Sequence, residues 1–166
     1  MDWTAADAKD VEVAGDTMTG PLVLPGEPTE PDEAATEDDV DSMGFTGPDV
    51  ASFWMIEDGY TVGLIRLLDL GDIGEGAPLF DVRIARRHRG RGLGRKATDW
   101  LVDHLFSTYP ILHRIEANTR ADNLAMQRVL TEAGFTHEGT LRQAWRRTDG
   151  LWSDAMIYGI LRSERT

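Results

Sequence analysis

The chain has 166 residues, of which 41% are hydrophobic, and its formal net charge is −12. This length fits one ordinary domain with a short extra segment, and the hydrophobic content suffices for a buried core. The absence of cysteine excludes disulfide bonds, a thiol nucleophile and cysteine-ligated zinc, and no apolar stretch reaches the roughly 18 residues of a membrane span.

The negative charge is concentrated at the start of the chain. Residues 1–50 hold 14 of the 29 acidic residues and one of the 17 basic residues, and they are rich in Pro, Gly and Thr. Such a composition without helical periodicity is typical of an acidic, partly disordered extension. We therefore predict two regions, an acidic Pro/Gly-rich segment at 1–48 and a folded domain at 49–166.

The first predicted elements of the domain form a hairpin. Apolar residues alternate or run together over 52–56 and 61–68, on either side of Asp58-Gly59, a dipeptide that favours a tight turn between antiparallel strands. A glycine-rich loop follows at 70–78, and residues 79–85 are predicted to form the next strand.

The second half of the chain is predicted to contain two helices and three strands. A helix is expected over 93–106, a short strand over 114–118, and a second helix over 123–133 that Asp122 caps and Gly134 follows. Two closing strands, at 136–146 and 152–161, turn at Asp149-Gly150. Five apolar residues share one face of the first helix at helical spacing: Leu93, Ala97, Trp100, Leu101 and Leu105.

The most informative stretch lies between the strand at 79–85 and the first helix. Three glycines, Gly90, Gly92 and Gly94, follow a burst of arginines, and residues 83–96 carry seven basic residues and no acid. Glycine lets the backbone approach an anion closely, and the unpaired N–H groups and the dipole of a helix N-terminus attract it. The pattern therefore predicts a phosphate-binding loop.

Two common phosphate-binding patterns do not fit this loop. From Gly90, the sixth position of Gly-x-Gly-x-x-Gly is Arg95, so the dinucleotide fingerprint fails, and Lys96 precedes Ala97 rather than the Ser or Thr of a P-loop. The pattern that fits is Arg-x-x-Gly-x-Gly, which begins at Arg89. It resembles the pyrophosphate loop of the GNAT acyltransferase superfamily, whose members bind acetyl-CoA.

Further motifs extend this resemblance over about residues 52–162. They are Asn123-Leu-Ala-Met-Gln-Arg-Val-Leu-Thr-Glu-Ala-Gly-Phe135, Glu138-Gly-Thr-Leu-Arg142 and Asp149-Gly-Leu-Trp-Ser-Asp154, and their order is similar to that of the RimJ/RimL-type branch. The resemblance implies an α/β (α+β) fold with a mixed central sheet flanked by helices. It also implies an N-acetyltransferase that acts on a primary amine, such as a protein N-terminus, a lysine or a small amine.

The resemblance also assigns contacts to the cofactor acetyl-CoA. The backbone of Val82 and Ile84 would bind the pantetheine arm, Asn123 would hydrogen-bond it, and Arg128 would approach the phosphates, although a solvated helix arginine is an equal alternative. The pyrophosphate would lie on the loop residues Arg89, Gly90, Arg91, Gly92, Leu93, Gly94 and Arg95.

The candidates for catalytic proton transfer are less specific. The acceptor ammonium must lose a proton before attack, so a carboxylate is expected, and Asp81 and Glu116 on adjacent predicted strands are the candidates, with a structural role as the alternative for each. Related enzymes carry a serine where this chain has Met126, and other GNAT branches a tyrosine where it has Leu130. Neither residue can protonate a departing thiolate.

The N-terminal segment carries a second resemblance. Residues 15–29, Gly-Asp-Thr-Met-Thr-Gly-Pro-Leu-Val-Leu-Pro-Gly-Glu-Pro-Thr, with further matches to Asp41, resemble a segment of phage tail-fibre and related virion proteins. This resemblance implies a phage or prophage origin. The acidic N-terminus lacks the apolar core of a signal peptide, so the expected location is the host cytoplasm or a virion. It also leaves little room before residue 59 for the usual acceptor-binding helices.

Alternative functions follow from the same features. The chain could be a virion structural or assembly protein that retains the fold, joining a homo-oligomer or other virion proteins through residues 1–48. A nucleic-acid-binding module is unlikely, because stacking aromatics are absent from the basic stretch and the rest of the chain is not basic. The four histidines lack metal-site spacing, so no metal is expected.

Overall fold

A computed structural model describes residues 2–5, 49–74, 78–147 and 149–165, without the side chains of residues 2–5 and 72. The described strands are β1 (Asp2–Ala5), β2 (Ala51–Glu57), β3 (Tyr60–Leu68), β4 (Leu79–Ile84), β5 (Arg114–Arg120), β6 (Thr136–Arg146) and β7 (Trp152–Leu161). The described helices are α1 (Leu93–Thr108) and α2 (Leu124–Glu132). Each helix and strand predicted between residues 52 and 161 is present, with ends shifted by a few residues.

The chain forms two compact units. One comprises residues 1–71 and 80–93, and the other comprises residues 72–79 and 94–166. The first unit contains a sheet with the order β1-β2-β3-β4, and the second contains the sheet β5-β7-β6 together with most of α1 and all of α2.

The predicted hairpin around Asp58-Gly59 is confirmed. Strands β2 and β3 pair antiparallel, and Glu57 lies opposite Tyr60, so the turn has two residues. Asp58 and Gly59 have φ angles of 53° and 81°. Positive φ at both positions is what a two-residue turn needs to match the right-handed twist of its strands, and Asp-Gly adopts it readily.

Strand β1 was not predicted, and it comes from the acidic segment. Its residues pair antiparallel with β2, with Trp3 opposite Met55 and Ala5 opposite Phe53. Four residues are too short to show a clear alternation, which is why the sequence pattern did not reveal this strand. The division of the chain at residues 48 and 49 stays a prediction.

A close approach between β3 and β4 depends on Gly63. A Cβ atom at this position would lie 2.8 Å from the carbonyl oxygen of Arg83 and 2.9 Å from Cδ1 of Ile84. The buried side chains of β2 and β3 stabilise the same unit, among them Met55, Val62, Ile65 and Leu67, each at most 1% exposed.

The apolar face predicted for α1 is largely correct. Leu93, Ala97, Leu101 and Leu105 are buried, each at most 2% exposed. Trp100 is only half-buried and stacks on His104, with ring centroids 4.7 Å apart.

The predicted N-cap of α2 was wrong by one residue. The side chain of Asn123, not that of Asp122, caps the helix, because its Oδ1 accepts a hydrogen bond from the N–H of Met126 at 3.2 Å. Asp122 instead accepts a hydrogen bond from Arg120 Nε at 2.9 Å. Gly134 follows the helix with φ 94°, as predicted for the residue after its end.

The predicted α/β (α+β) fold class is confirmed, and the described strands form two sheets, β1-β2-β3-β4 and β5-β7-β6. The β1–β2, β2–β3, β5–β7 and β6–β7 pairs are all antiparallel. Short connections explain the β2–β3 and β6–β7 pairs, since a tight turn can join only antiparallel neighbours.

Among the residues that the structure describes, no helix is long and apolar enough to cross a membrane.

Arg114 joins the outer strands of the second sheet across β7. Its Nε donates to Glu116 at 2.8 Å, and its terminal nitrogens donate to both carboxylate oxygens of Glu138 on β6. A Cβ atom on Gly159 of β7 would lie within 2.8 Å of three atoms of this guanidinium, so glycine leaves room for the crossing. The hydrogen bonds to Glu138 and then Glu116 raise the pKa of Arg114, and the hydrogen bond from Arg114 lowers the pKa of Glu138.

We expect Gly63→Ala to lower the free energy of unfolding by about 1–3 kcal/mol, because the new methyl group would press on the backbone of β4. Gly139→Ala is the matched control, since Gly139 also lies in a strand, has no positive φ, and has open space around its Cβ position. Chemical denaturation of both variants measures the difference. Equal stability of the two would contradict the close approach of β3 and β4.

The Arg114–Glu138 pair predicts a loss of stability in acid. The pKa of Glu138 is lower than the ordinary value of 4.5, so its contribution is present above about pH 4.5 and is lost as pH falls through the lowered pKa. Chemical denaturation between pH 7 and pH 3 should show that the free energy of unfolding of Glu138→Gln declines less steeply than that of wild type. In an Arg114→Met background the same substitution should no longer change the decline.

Candidate functional site

The loop between β4 and α1 has the backbone conformation of an anion-binding turn. The 3-10 turn Arg86–His88 follows β4, and α1 begins at Leu93. Gly90 and Gly92 have φ angles of 76° and 78°, a region that residues with a Cβ atom seldom adopt. A helix of 16 residues then presents the free N–H groups of its first turn next to this loop.

Gly94 has a different role from the two glycines before it. A Cβ atom here would lie 3.4 Å from Cγ2 of Val129 on α2. The third glycine of the motif therefore keeps the start of α1 close to α2, whereas Gly90 and Gly92 are required by backbone conformation.

Strand β4 is an edge strand of its sheet among the residues that the structure describes. It is the last strand in the order of its sheet, with β3 on its inner side. The N–H of Ala85 donates to Val62 O at 3.0 Å, and hydrogen-bonding groups of successive residues point to opposite sides of a strand. The N–H groups of Ile84 and Val82 therefore point away from β3, on the side where the resemblance implies a pantetheine arm.

The first two loop arginines are held by neighbouring groups of the same unit. Arg89 Nε donates to Ile84 O at 3.0 Å, which ties the loop to the outer edge of β4. Arg91 Nη2 lies 2.7 Å from Glu57 Oε2, and its Nη1 lies 2.9 Å from His88 Nδ1. Half of the Arg91 side chain remains exposed. Glu57 was not predicted as a member of the site, since an acid before a turn carries no distinguishing signal.

The other predicted phosphate contacts are arginines on helices. Arg95 Nε donates to Asp99 at 2.6 Å, and Arg128 Nε donates to Glu132 at 2.7 Å, both one helical turn away. The pairing raises the pKa of Arg128, chiefly through this hydrogen bond. Arg128 is 81% exposed as a side chain, so its terminal nitrogens remain accessible to a ligand.

Asn123 combines a structural role with free donors. Its Oδ1 accepts the capping hydrogen bond of α2, and its side chain is exposed. The two N–H groups of its amide make no hydrogen bond to a described residue. The capping role and the predicted hydrogen bond to a pantetheine arm are therefore compatible.

Both predicted catalytic carboxylates are paired with an arginine two positions away on their own strand. Asp81 accepts a hydrogen bond from Arg83 Nε at 2.6 Å. Its carboxylate also interacts with the buried Arg66 on β3. Burial lowers the pKa of Arg66, and the negative charge of Asp81 opposes this by raising it. Glu116 accepts from Arg114 at 2.8 Å and is 47% exposed as a side chain. Asp81 lies in the first unit and Glu116 in the second.

Comparisons with known proteins find acetyltransferases. A family model described as "Acetyltransferase (GNAT) domain" matches residues 2–136. Probable N-acetyltransferase YjcK of Bacillus subtilis is 38% identical over 76 residues, and spermidine N(1)-acetyltransferase of Vibrio cholerae is 29% identical over 103 residues. These matches cover 46% and 62% of this chain and only 41% and 58% of the two relatives.

Solved structures of the Vibrio cholerae spermidine N-acetyltransferase share the fold. A complex with CoA and spermine has a TM-score of 0.66 and 24% identity, and covers 82% of this chain and 80% of its own. A dodecameric structure has a TM-score of 0.71 and 19% identity, and the match covers 99% of this chain and 95% of that one.

The family match spans most of the chain and includes the loop from Arg89 to Gly94. The finer assignment to the RimJ/RimL-type branch and the tail-fibre resemblance of residues 15–41 stay predictions, and the latter residues lie outside the described ranges. The combination of sequence match, fold and loop geometry leads to one conclusion. The chain belongs to the GNAT acetyltransferase family.

Proposed function

We propose that the protein is an acetyl-CoA-dependent N-acetyltransferase whose acceptor is a primary amine. The observation that carries this proposal is the turn at Arg89–Gly94. Its two left-handed glycines, the helix that begins directly after it and the outward N–H groups of β4 together offer backbone donors suited to a pyrophosphate and an extended amide-containing arm.

The residues present fit the cofactor at each predicted contact. Val82 and Ile84 offer outward backbone groups, and the loop arginines keep unpaired N–H donors for phosphate. When bound, acetyl-CoA would supply an acetyl thioester, whose C–S bond breaks as the C–N bond of the amide forms, so that CoA leaves as the thiolate and is protonated afterwards by solvent. Asn123 is proposed to donate to the pantetheine arm and Arg128 to approach its phosphates.

The base must accept one proton from the acceptor ammonium. Uptake of that proton by Asp81 would break its bond with Arg83 and leave the positive charge of Arg66 without its nearby carboxylate. Glu116 has a smaller penalty, because Arg114 keeps its two hydrogen bonds to Glu138 when Glu116 is neutral. Of the two candidates we therefore favour Glu116, directly or through a water.

The departing thiolate has few proton donors at the positions that related enzymes use. Met126 is half-buried and Leu130 fully buried, and both are apolar. Tyr158 is 4% exposed and lies against His137 in the core of the second sheet. We propose that the thiolate departs without a strong acid, which is chemically feasible because a thiolate is a stable leaving group.

The acceptor is proposed to be a protein N-terminus, a lysine or a small amine. The names of the relatives add polyamines to this set, since one relative is a spermidine N(1)-acetyltransferase and one similar structure holds spermine. The 14 acidic residues in the first 50 positions would raise the local concentration of any cationic amine.

Calorimetric titration of acetyl-CoA tests the proposal. Wild type should bind in the micromolar range, and Gly92→Trp should abolish binding, because its indole would occupy the space before the helix N-terminus. Gly150→Trp is the matched control. Gly150 has φ 83° and open space around its Cβ position, as Gly92 does, but it lies in the β6–β7 turn.

A thiol-release assay with an amine panel runs beside the titration. Thiol release that requires both acetyl-CoA and an amine supports the acetyltransferase. Absence of binding in wild type, or equal loss in both tryptophan variants, would contradict the assignment of the loop. Binding without turnover on any amine would favour the second candidate function.

The second candidate is an assembly role in a phage or prophage context. It is supported by residues 15–29, which resemble a virion-protein segment, and by the dodecameric state of one similar structure. We propose that residues 1–48 contribute contacts to a homo-oligomer or to virion proteins, with the GNAT fold retained.

Deletion of residues 15–41 tests that role, since it keeps the residues of β1. If the segment mediates assembly, light scattering should show a lower molecular mass for the deletion variant than for the full chain. A variant of equal length in which these residues become a Gly/Ser linker controls for spacing. An unchanged oligomeric mass in both variants would rule out assembly through this segment.

A further inference from the structure

The loop arginine Arg91 is held by a carboxylate from another part of the first unit. Its Nη2 lies 2.7 Å from Oε2 of Glu57, the last residue of β2, and its Nη1 lies 2.9 Å from Nδ1 of His88. The Glu57 side chain is 21% exposed, whereas that of Arg91 is 50% exposed. Both terminal nitrogens of the guanidinium therefore have a partner within the protein, and one of these partners is an acid.

The β2–β3 hairpin places this carboxylate beside the loop. Glu57 ends β2 directly before the turn at Asp58-Gly59. Near the start of β3, the carbonyl oxygen of Val62 accepts a hydrogen bond at 3.0 Å from the N–H of Ala85, the residue that follows β4. The turn and the loop after β4 therefore lie at the same end of one sheet. Glu57 and Arg91 belong to the same unit, so their contact is independent of the second unit.

The carboxylate opposes the charge of the loop. Residues 83–96 carry seven basic residues and no acid, so an anion that approaches the loop is attracted by arginines and repelled by Glu57. Carboxylate and phosphate oxygens are both preferred partners of a guanidinium. A phosphate that binds Arg91 therefore competes with Glu57 for the same positive charge. Glu57 should lower the affinity of the loop for any anion that uses Arg91.

The shape of the loop is determined by other contacts. Gly90 and Gly92 have positive φ angles, and Arg89 Nε donates to the carbonyl oxygen of Ile84 at 3.0 Å. None of these features involves Glu57. Loss of the Glu57 carboxylate should therefore leave the loop conformation in place and release the Arg91 guanidinium. If the ion pair served only to hold the loop in shape, its loss would instead weaken anion binding.

We infer that Glu57 is an internal competitor for Arg91, and that it favours the departure of product CoA from the loop. The inference rests on the proposed function for the identity of the ligand. Acetyl-CoA and CoA carry the same pyrophosphate, so contacts at the loop hold substrate and product equally tightly, and product release limits the turnover of many enzymes. A carboxylate that pairs with Arg91 again when the phosphate leaves stabilises the empty loop.

Calorimetric titration of the full chain with inorganic pyrophosphate and with CoA tests the competition. Glu57→Gln should bind both ligands about three- to tenfold more tightly than wild type, because glutamine keeps the size of the side chain and removes its charge. Damage to the loop would give the opposite sign.

Asp58→Asn is the matched control for a general effect of charge. Asp58 is the next residue in the turn, is exposed, and forms no ion pair with a residue in the described ranges. Asparagine tolerates its φ of 53°. Removal of this charge should change the affinity by less than about twofold, because salt screens exposed charges that are not in contact with the ligand.

A double substitution tests whether Arg91 is the residue for which Glu57 competes. Arg91→Met should weaken the binding of both ligands. In this background, Glu57→Gln should increase the affinity no more than Asp58→Asn does in the otherwise wild-type chain. A full gain without Arg91 would contradict competition for this guanidinium.

Stopped-flow displacement of CoA tests the effect on product release. CoA should dissociate more slowly from Glu57→Gln than from wild type, by a factor similar to the gain in affinity. An unchanged dissociation rate would overturn the effect on release.

Three outcomes of the titrations would overturn the competition itself. They are equal or weaker binding of pyrophosphate by Glu57→Gln, an equal gain for Asp58→Asn, and no binding of pyrophosphate by either wild type or Glu57→Gln. Failure of the proposed acetyl transfer would be seen separately. In that case Glu57→Gln would bind pyrophosphate more tightly than wild type, while wild type would release no thiol from acetyl-CoA with any amine.

Discussion

The outer edge of β4 is the constraint on which the proposed cofactor site depends. A strand that ends its sheet leaves alternate N–H and C=O groups without a strand partner, and here those groups belong to Val82 and Ile84. Arg89 satisfies the carbonyl of Ile84 and thereby fixes the start of the loop. The N–H groups of Val82 and Ile84 point away from β3, and the glycine turn leads directly into α1, whose first N–H groups have no partner within the helix. These are the donors on which the proposed binding of acetyl-CoA rests.

Ion pairs along the strands distinguish the two carboxylates that are candidates for the proposed base. Residues two apart on a strand lie on the same face, and both candidate bases use this spacing to meet an arginine, Asp81 with Arg83 and Glu116 with Arg114. The difference between them comes from the third group in each cluster. Glu138 shares Arg114 with Glu116, so that guanidinium stays paired when Glu116 takes up a proton. Asp81 instead faces two guanidinium groups, Arg83 and the buried Arg66.

Most of the secondary structure could be predicted because its signals are local. Asp58-Gly59 specifies a two-residue hairpin through its tolerance of positive φ, and helical spacing from Ala97 to Leu105 marks the buried face of α1. Predictions failed where the local structure depends on a residue that is close in space, which the sequence pattern does not show. Strand β1 exists through its pairing with β2. Asn123 replaces Asp122 as the cap of α2 because Asp122 meets Arg120.

The sequence by itself determined the conformation and charge of the loop between β4 and α1, since Gly90 and Gly92 allow positive φ and Arg89 and Arg91 make the loop basic irrespective of the remainder of the chain. It also determined the family, because several motifs occur in one order. Only the tertiary structure decided which charges meet. The pairs Arg91–Glu57 and Arg114–Glu138 join residues far apart in sequence. Their contacts depend on how the strands pair and on where the loop lies, which single-residue patterns do not encode.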